Sequence, residues 1–221
     1  MKKYRGEIMI IAIDGPSSSG KSTVAKTIAK KLDIAHLDTG AMYRLLGYKM
    51  IKDNLSIENI SSVLKELNID IKGNAFYLDN IDVSKEIREN KVSMMASKVS
   101  KIKEVREFMV NLQREISKNK SVILDGRDIG TVVFPNADIK IYLNASAEVR
   151  ANRRYLEDQK LEYEKILEDI IKRDYEDMNR EHSPLKKSED AIEINTDNLT
   201  FDEVLNKILK LVNKHEYLCN N

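Results

Sequence analysis

The segment IAIDGPSSSGKST, Ile11 to Thr23, restricts what this chain can fold into more than any other part of it. An apolar run, an acid and a Gly-x-x-x-x-Gly-Lys-Ser turn follow one another. That is the order of a buried strand feeding a helix through a turn whose backbone N–H groups cradle phosphate. Gly15, Gly20, Lys21 and Ser22 meet the full spacing. The strand reads as Ile8 to Ile13, and the helix as Lys21 to Leu32, with Val24, Ala25, Ile28, Ala29 and Leu32 on one face. The turn and the start of the helix, Gly15, Pro16, Ser17, Ser18, Ser19, Gly20, Lys21, Ser22 and Thr23, are expected to hold a nucleoside triphosphate. The helix N-terminus brings positive partial charge to the phosphates. Lys21 supplies a mobile cation that follows the γ-phosphoryl group, and the Ser22 hydroxyl can face Mg²⁺. Asp14, Asp38 and Asp125 are each candidates to hold the metal's waters or to serve as strand-end turn residues, and the sequence does not choose among them.

The rest of the chain supplies the frame for such a turn. IAHLDTGAMYR reads as a short strand ending at Asp38 and Thr39, a turn at Gly40, and a helix carrying Tyr43 and Arg44. A helix over about 54–67 precedes NIDIKGNAFYLDNIDVS, whose apolar and polar residues alternate about Gly73-Asn74 like a small hairpin. Helices are expected from Ser84 to Asn119, with Phe108, Leu112 and Ile116 as a core stripe. Two strands, Val122–Leu124 and Ile139–Leu143, flank a polar loop, and two charged helices follow, roughly 147–159 and 163–180. DAIEINT is a last strand, and Thr200 with Glu203 forms a capping box opening a helix to about Asn213. Strands alternating with helices argue for a parallel sheet covered on both faces, with ligands beyond the carboxyl ends of its strands. Three polar clusters fall at such ends: 15–22, 38–44 and 125–128.

Composition narrows the partners. With 221 residues, the chain is long enough for one domain with an inserted lobe. Lys and Arg total 37 against 36 Asp and Glu, so no global field recruits nucleic acid or a membrane, and any anion site is local. The one cysteine, Cys219, leaves no disulfide or multi-cysteine metal framework within the chain. A soluble cytoplasmic protein is expected.

Arginine is placed where phosphate would need it. Arg150, Arg153 and Arg154 share one face of a predicted helix, and Arg173, Asp177 and Arg180 one face of the next. Arg44, Arg106 and Arg127 lie where a loop or helix can overlook the strand ends. Each could simply belong to a solvated, ion-paired face. As a set, they suit planar bidentate phosphate recognition, which Arg serves better than the Lys that dominates other surfaces. In DGRDIGTVVFP, two acids and an arginine bracket a turn, offering a donor for phosphate and an acceptor for a base amine or ribose. A GTPase is set aside, because Asn119-Lys120-Ser121-Val122 lacks the acid of an Asn-Lys-x-Asp base reader.

Over nearly its whole length the chain resembles the bacterial cytidylate kinases, a branch of the P-loop nucleoside monophosphate kinases. The segments IDGPSSSGKST, LDTGAMYR, DVSKEIR, LDGRDIGTVVFP, RANRR and RDYEDMNR carry the likeness. The resemblance implies an α/β fold with a P-loop NTPase-type parallel core. It adds an inserted antiparallel lobe for the nucleoside monophosphate within about 41–118, and a lid at about 147–180. It implies that ATP with Mg²⁺ phosphorylates CMP or dCMP, in pyrimidine nucleotide metabolism, and that the chain is a monomer. By the same resemblance Arg44, Arg127 and Arg180 hold the acceptor phosphate, with a hydroxyl from Thr39, and Arg173 and Asp177 contact the ribose. Ser97, Arg106 and Asp128 read cytosine, and Arg150, Arg153 and Arg154 are lid arginines acting with Lys21 and Arg127 in catalysis. Many relatives carry a further glycine where this chain has Ser17, Ser18 and Ser19.

Two other readings use the same phosphate turn. One is a P-loop kinase acting on another small acceptor, such as UMP or a hydroxy acid. The other is an ATP-binding switch with no second substrate, which would need no acceptor pocket. His36, His182 and His215 are too scattered for a metal site and read as structural or surface residues.

Overall fold

The structure is a computed structural model and describes the backbone of residues 8–73, 75–157 and 162–219. Asn74 and Gln159, an expected hairpin turn and helix end, lie outside them. The chain forms two compact units, one running up to Leu37 and again from Asn119, the other comprising Asp38–Lys118.

The first unit is built on the expected sheet. Its five strands are β1 (Ile10–Asp14), β2 (Ala35–Asp38), β6 (Val122–Gly126), β7 (Ile139–Asn144) and β8 (Ile192–Asn195), in the order β2-β6-β1-β7-β8. β1 runs parallel to both β6 and β7, and β7 parallel to β8, with Ile11 opposite Ile123 and Ile139. Strands buried on both faces read as continuous apolar runs rather than alternating ones, which is why IIAI and VIL could be read as strands directly. One face packs Ile11, Ile13, Ile141 and Leu143 against Val24, Ala25 and Ile28 of α1 (Lys21–Leu32). The same cluster takes in Val204, Ile208 and Val212 of α8 (Phe201–Cys219). That helix runs past the expected stop at Asn213. Its start is as read: the Glu203 carboxylate accepts from the Thr200 N–H at 2.8 Å, and the Thr200 hydroxyl accepts from the Glu203 N–H at 3.3 Å. The connection from β6 to β7 is not an open polar loop. Ile129–Val133 form a π-helical turn whose Ile129 and Val133 are buried, a form that tends to occur at functional sites. Two helices, α6 (Ala147–Glu157) and α7 (Tyr163–Asn179), pack on each other through Ala151, Ile166 and Ile170.

The second unit opens with α2 (Thr39–Lys52). Gly40 lies in the first turn of this helix rather than in a turn before it, because the Asp38 carboxylate caps the helix by accepting from the Ala41 N–H at 2.8 Å. The expected helix at 54–67 is α3 (Ile60–Glu66), preceded by a short 3₁₀ turn. Three antiparallel strands follow, β3 (Ile69–Lys72), β4 (Ala75–Leu78) and the two-residue β5 (Ile81–Asp82). The unit closes with α4 (Asn90–Val99) and α5 (Lys103–Ile116). The stripe Phe108, Leu112 and Ile116 is only half-buried; the buried face of α5 is instead Val105, Arg106, Met109, Val110 and Gln113. Two polar side chains share that face, so an apolar count alone rotates the helix away from its true contact.

α2 meets α4 backbone to backbone at Gly47. A Cβ there would stand 2.9 Å from the Ala96 N and 3.1 Å from the Val92 O. Alanine at position 47 would gain about 1 kcal/mol of helix propensity but would force two helix backbones apart. Overpacking of this kind costs about 1–3 kcal/mol, so Gly47→Ala is expected to lower the urea midpoint and melting temperature. A rise in either would show that α4 yields freely.

Candidate active site

The site is assembled where β1 ends. Gly15 follows Asp14 at φ +153°, and a Cβ on it would lie 2.1 Å from the Leu143 carbonyl oxygen of β7, so only glycine lets the chain leave the sheet here. Gly20, at φ +85°, turns the chain into α1. Between them Ser18 holds φ +58°, a left-handed conformation that costs a non-glycine residue about 1 kcal/mol or more. A glycine would adopt such a position without that cost. Ser17 and Ser19 are buried, and their hydroxyl oxygens have no hydrogen-bond partner among the described residues. Buried polar atoms in that condition suit a turn that awaits phosphate oxygens. Pro16 lies in the same buried stretch, and Thr23 is exposed in the first turn of α1.

Lys21 is buried at the start of α1 and donates to the Pro16 carbonyl at 2.7 Å. Burial, and behind it the Arg127 guanidinium, push its ammonium well below the ordinary lysine value. The three acids that the sequence left equivalent have different partners. The Asp14 carboxylate accepts from the Ile129 N–H at 2.8 Å and the Gly130 N–H at 2.7 Å, so it holds the π-helical turn. Asp38 caps α2 and meets Arg44 at 3.1 Å and Arg88 at 3.3 Å. Asp125 alone of the three accepts a hydrogen bond from the Ser22 hydroxyl. A hydroxyl and a carboxylate side by side make an all-oxygen donor set suited to a hard cation that keeps most of its waters.

On the same unit a chain of alternating charges runs from β6 to the end of α7. Arg127 Nε donates to Asp177 Oδ2 at 2.8 Å. Arg180 lies 3.8 Å from Asp177 Oδ1 and 3.7 Å from Asp128 Oδ1. Burial alone would raise the Asp177 pKa, but the Arg127, Arg173 and Arg180 guanidinium groups hold its carboxyl below the usual carboxylate value. Arg127, Asp128, Arg173, Asp177 and Arg180, from two separate stretches of the sequence, thus form one electrostatic group. Of the three arginines expected to act together on α6, Arg150 and Arg153 have different partners. Arg150 is buried against Ser17 and Asp174, Arg153 donates to the Thr196 hydroxyl at 3.1 Å and carbonyl at 2.9 Å, and Arg154 is half-buried.

The remaining expected residues belong to the second unit. Thr39 is buried as the first residue of α2, and Arg44 lies one turn further on. Arg106 is buried on α5, with its guanidinium 5.6 Å from the centre of the Tyr43 ring and an N–H to the Ser100 carbonyl at 3.3 Å. Ser97 is half-buried on α4, ahead of the turn that Ser100 begins.

Three partners of these residues escaped the sequence reading. Asp174 stands between Arg173 and Asp177, and its spacing of three from Asp177 was the available signal. Arg88 ends the DVSKEIR segment without having been given a role. His36, read as structural or surface, places its Nε2 2.7 Å from Asp125 Oδ1. It lies two residues before Asp38 on the same strand, and nothing local marks it as Asp125's neighbour.

Burial pushes the Asp14 carboxyl from 3.8 up to about 7, against the lowering by its two backbone N–H donors. Below about pH 4 the group is protonated in both folded and unfolded chains. Between there and about pH 7 only the folded chain keeps the proton, so the stability tied to this group falls as pH rises and levels off above. Urea unfolding of the natural chain and of Asp14→Asn from pH 4 to 8 is expected to show a loss with rising pH in the former that the latter lacks. Parallel profiles would show that Asp14 titrates as it does when unfolded.

A family model described as Cytidylate kinase matches residues 11–214. The cytidylate kinase of Fusobacterium nucleatum subsp. nucleatum is 51% identical over 213 residues, which cover 93% of this chain and 98% of that one. The cytidylate kinase of Clostridioides difficile (strain 630) is 48% identical over 212 residues, covering 93% and 98%. Among solved structures, a gluconokinase from Sinorhizobium meliloti 1021 superposes with a TM-score of 0.51 at 15% identity, covering 98% of this chain and 97% of that one. Shikimate kinase from Bacteroides thetaiotaomicron gives 0.50 at 12% identity, with 93% and 98% covered. At those identities the two structures bear on the fold alone. With about half its residues shared with cytidylate kinases over nearly their full length, and with the glycine-bounded turn, Lys21 and the arginine group all inside the matched span, the chain belongs to the cytidylate kinase family.

Proposed function

We propose that this chain transfers the γ-phosphoryl group of ATP to CMP and dCMP, with Mg²⁺, as a cytoplasmic monomer. The observation that carries the reading is the buried electrostatic group at the strand ends. Lys21 is buried in the field of Arg127 and Arg173, which Asp125 and Asp177 oppose. A donor phosphate and an acceptor phosphate would add negative charge beside these cations. With a phosphate in place, Lys21 exchanges the Pro16 carbonyl for a phosphate oxygen and regains its ordinary ammonium character.

Phosphoryl transfer asks for positioning and positive charge rather than covalent help. The turn from Gly15 to Gly20 holds the ATP phosphates through backbone N–H groups and the Ser17 and Ser19 hydroxyls. Ser22, with Asp125 behind it, would hold the metal. An ion held there would supply positive charge to offset that of the donor phosphates. Arg127, Arg180, Arg44 and Thr39 hold the CMP phosphate, whose oxygen is already a nucleophile, so no general base is required. Arg173 and Asp177 take the ribose hydroxyls, and Arg154 keeps the lid role expected of it.

Cytosine offers an N4 amine and the O2 and N3 acceptors. Asp128 accepts from the amine, while Ser97 and Arg106 donate to the ring. Uracil has a carbonyl in place of the amine, which would face the Asp128 carboxylate unpaired. A site built on such hydrogen bonds rejects the wrong base strongly.

ADP formation from ATP and Mg²⁺ with CMP, dCMP, UMP, AMP or no acceptor tests this. Turnover is expected with CMP and dCMP alone, and Lys21→Ala or Arg127→Ala is expected to lower kcat by about 10²-fold or more. Equal turnover with UMP would overturn the base-reading residues while leaving the kinase chemistry. ATP loss without an acceptor would favour an ATP-driven switch.

A further inference from the structure

Arg150 was expected on the transferring phosphoryl group, but its guanidinium is already committed within the protein. It is 3% exposed. Its Nε donates to the Ala145 carbonyl at 2.9 Å, and one terminal nitrogen donates to the Ser17 carbonyl at 3.1 Å. Both terminal nitrogens meet the Asp174 carboxylate in a two-pronged pair, at 3.1 Å and 2.5 Å. Four hydrogen bonds fix the plane of the group from three sides, namely the end of β7, the phosphate turn and α7. Paired guanidinium and carboxylate groups at such distances are held rigidly.

The bond to Ser17 has a consequence for its neighbour. In a trans peptide the carbonyl and the following N–H point in opposite directions. Drawing the Ser17 oxygen toward Arg150 therefore turns the Ser18 N–H away from Arg150. Ser18 is the residue of the turn at φ +58°. A left-handed residue in a turn lets successive N–H groups converge on one anion. Serine adopts that conformation less readily than glycine, so something must hold it.

We infer that Arg150 and Asp174 form a positioning pair that pins the Ser17 carbonyl outward, aims the Ser18 N–H into the phosphate cradle, and holds Ser18 in its left-handed conformation. Arg150 touches neither substrate. Asp174, which has no other assigned part in the reaction, is required because it fixes the guanidinium. The inference rests on the reading that ATP sits in this turn.

The test uses the full-length chain and a fluorescent ATP analogue, with steady-state kinetics and melting temperature measured in parallel. Arg150→Lys keeps the charge but cannot reproduce the fork. It is expected to raise the analogue's Kd and the KM for ATP about tenfold, the worth of a charge-assisted hydrogen bond, while the KM for CMP stays within about twofold. Asp174→Asn is expected to move ATP affinity in the same direction by less. The decisive variant adds Ser18→Gly to each. Glycine adopts the turn without being held, so ATP affinity is expected to recover by about threefold or more. If Arg150→Lys does not fold, Asp174→Asn with and without Ser18→Gly gives the same comparison. The inference is overturned if kcat falls while the analogue's Kd is unchanged, since Arg150 would then act on the transferring group. Failure of Ser18→Gly to restore binding overturns it as well. A natural chain that bound no ATP would overturn the proposed function too, whereas normal binding by all the variants would overturn the pair alone.

Discussion

The site depends on one buried carboxylate. Asp14 ends the central strand, and its two oxygens take the N–H groups of Ile129 and Gly130. On one side of it the chain turns at Gly15 into the phosphate turn; on the other, the turn that it holds follows Arg127 and Asp128 directly. A single side chain thus ties the glycine-bounded turn and the turn after Arg127 and Asp128 to the same strand end. Gly130 is part of the arrangement, since a Cβ there would come within 3.2 Å of the Lys140 side chain and 3.4 Å of the Asp14 carboxylate. The cost is a carboxylate far from water, visible in its raised pKa.

The rest of the site is organised around charge awaiting its counterpart. Within the second unit, Asp38 takes the α2 cap together with Arg44 and Arg88, and thereby stands where an anion would be welcome. Within the first, Asp177 does the same for Arg127 and Arg180. Both acids keep arginines ordered at positions where water alone would leave them with many rotamers, a real saving for side chains as long as arginine. Preorganised charge of this kind needs little rearrangement when the reaction begins.

Much of this could be read from the sequence because the determinants are local. Glycine spacing, the strand before it and the amphipathic helix after it fix the phosphate turn within about a dozen neighbouring residues. The three central strands β1, β6 and β7 were legible because strands buried on both faces are close to continuous apolar runs, whereas β2 (AHLD) and β8 (IEIN) are partly exposed and mix polar with apolar residues. What escaped depends on distant partners. No local pattern says that Arg150 meets Asp174 and the Ser17 carbonyl rather than a phosphate, or that His36 faces Asp125. Arg106 and Gln113 are buried on α5 although they are polar, so the apolar stripe at Phe108, Leu112 and Ile116 pointed to the wrong face. Gly40 was misread for a related reason: the Asp38 side chain starts α2 before the glycine is reached, and capping outweighs the residue's preference for turns.

The connectivity of the second unit carries a wider implication. The chain leaves the sheet at Asp38, at the end of β2, and returns to begin β6 at Val122, on the strand next to it. Everything between is one continuous excursion from neighbouring strands, and the strand order does not depend on its content. An excursion attached in this way can lengthen, shrink or be replaced by recombination without disturbing the scaffold. Residues within that excursion can therefore vary in such a lineage while the strand order of the sheet stays as it is.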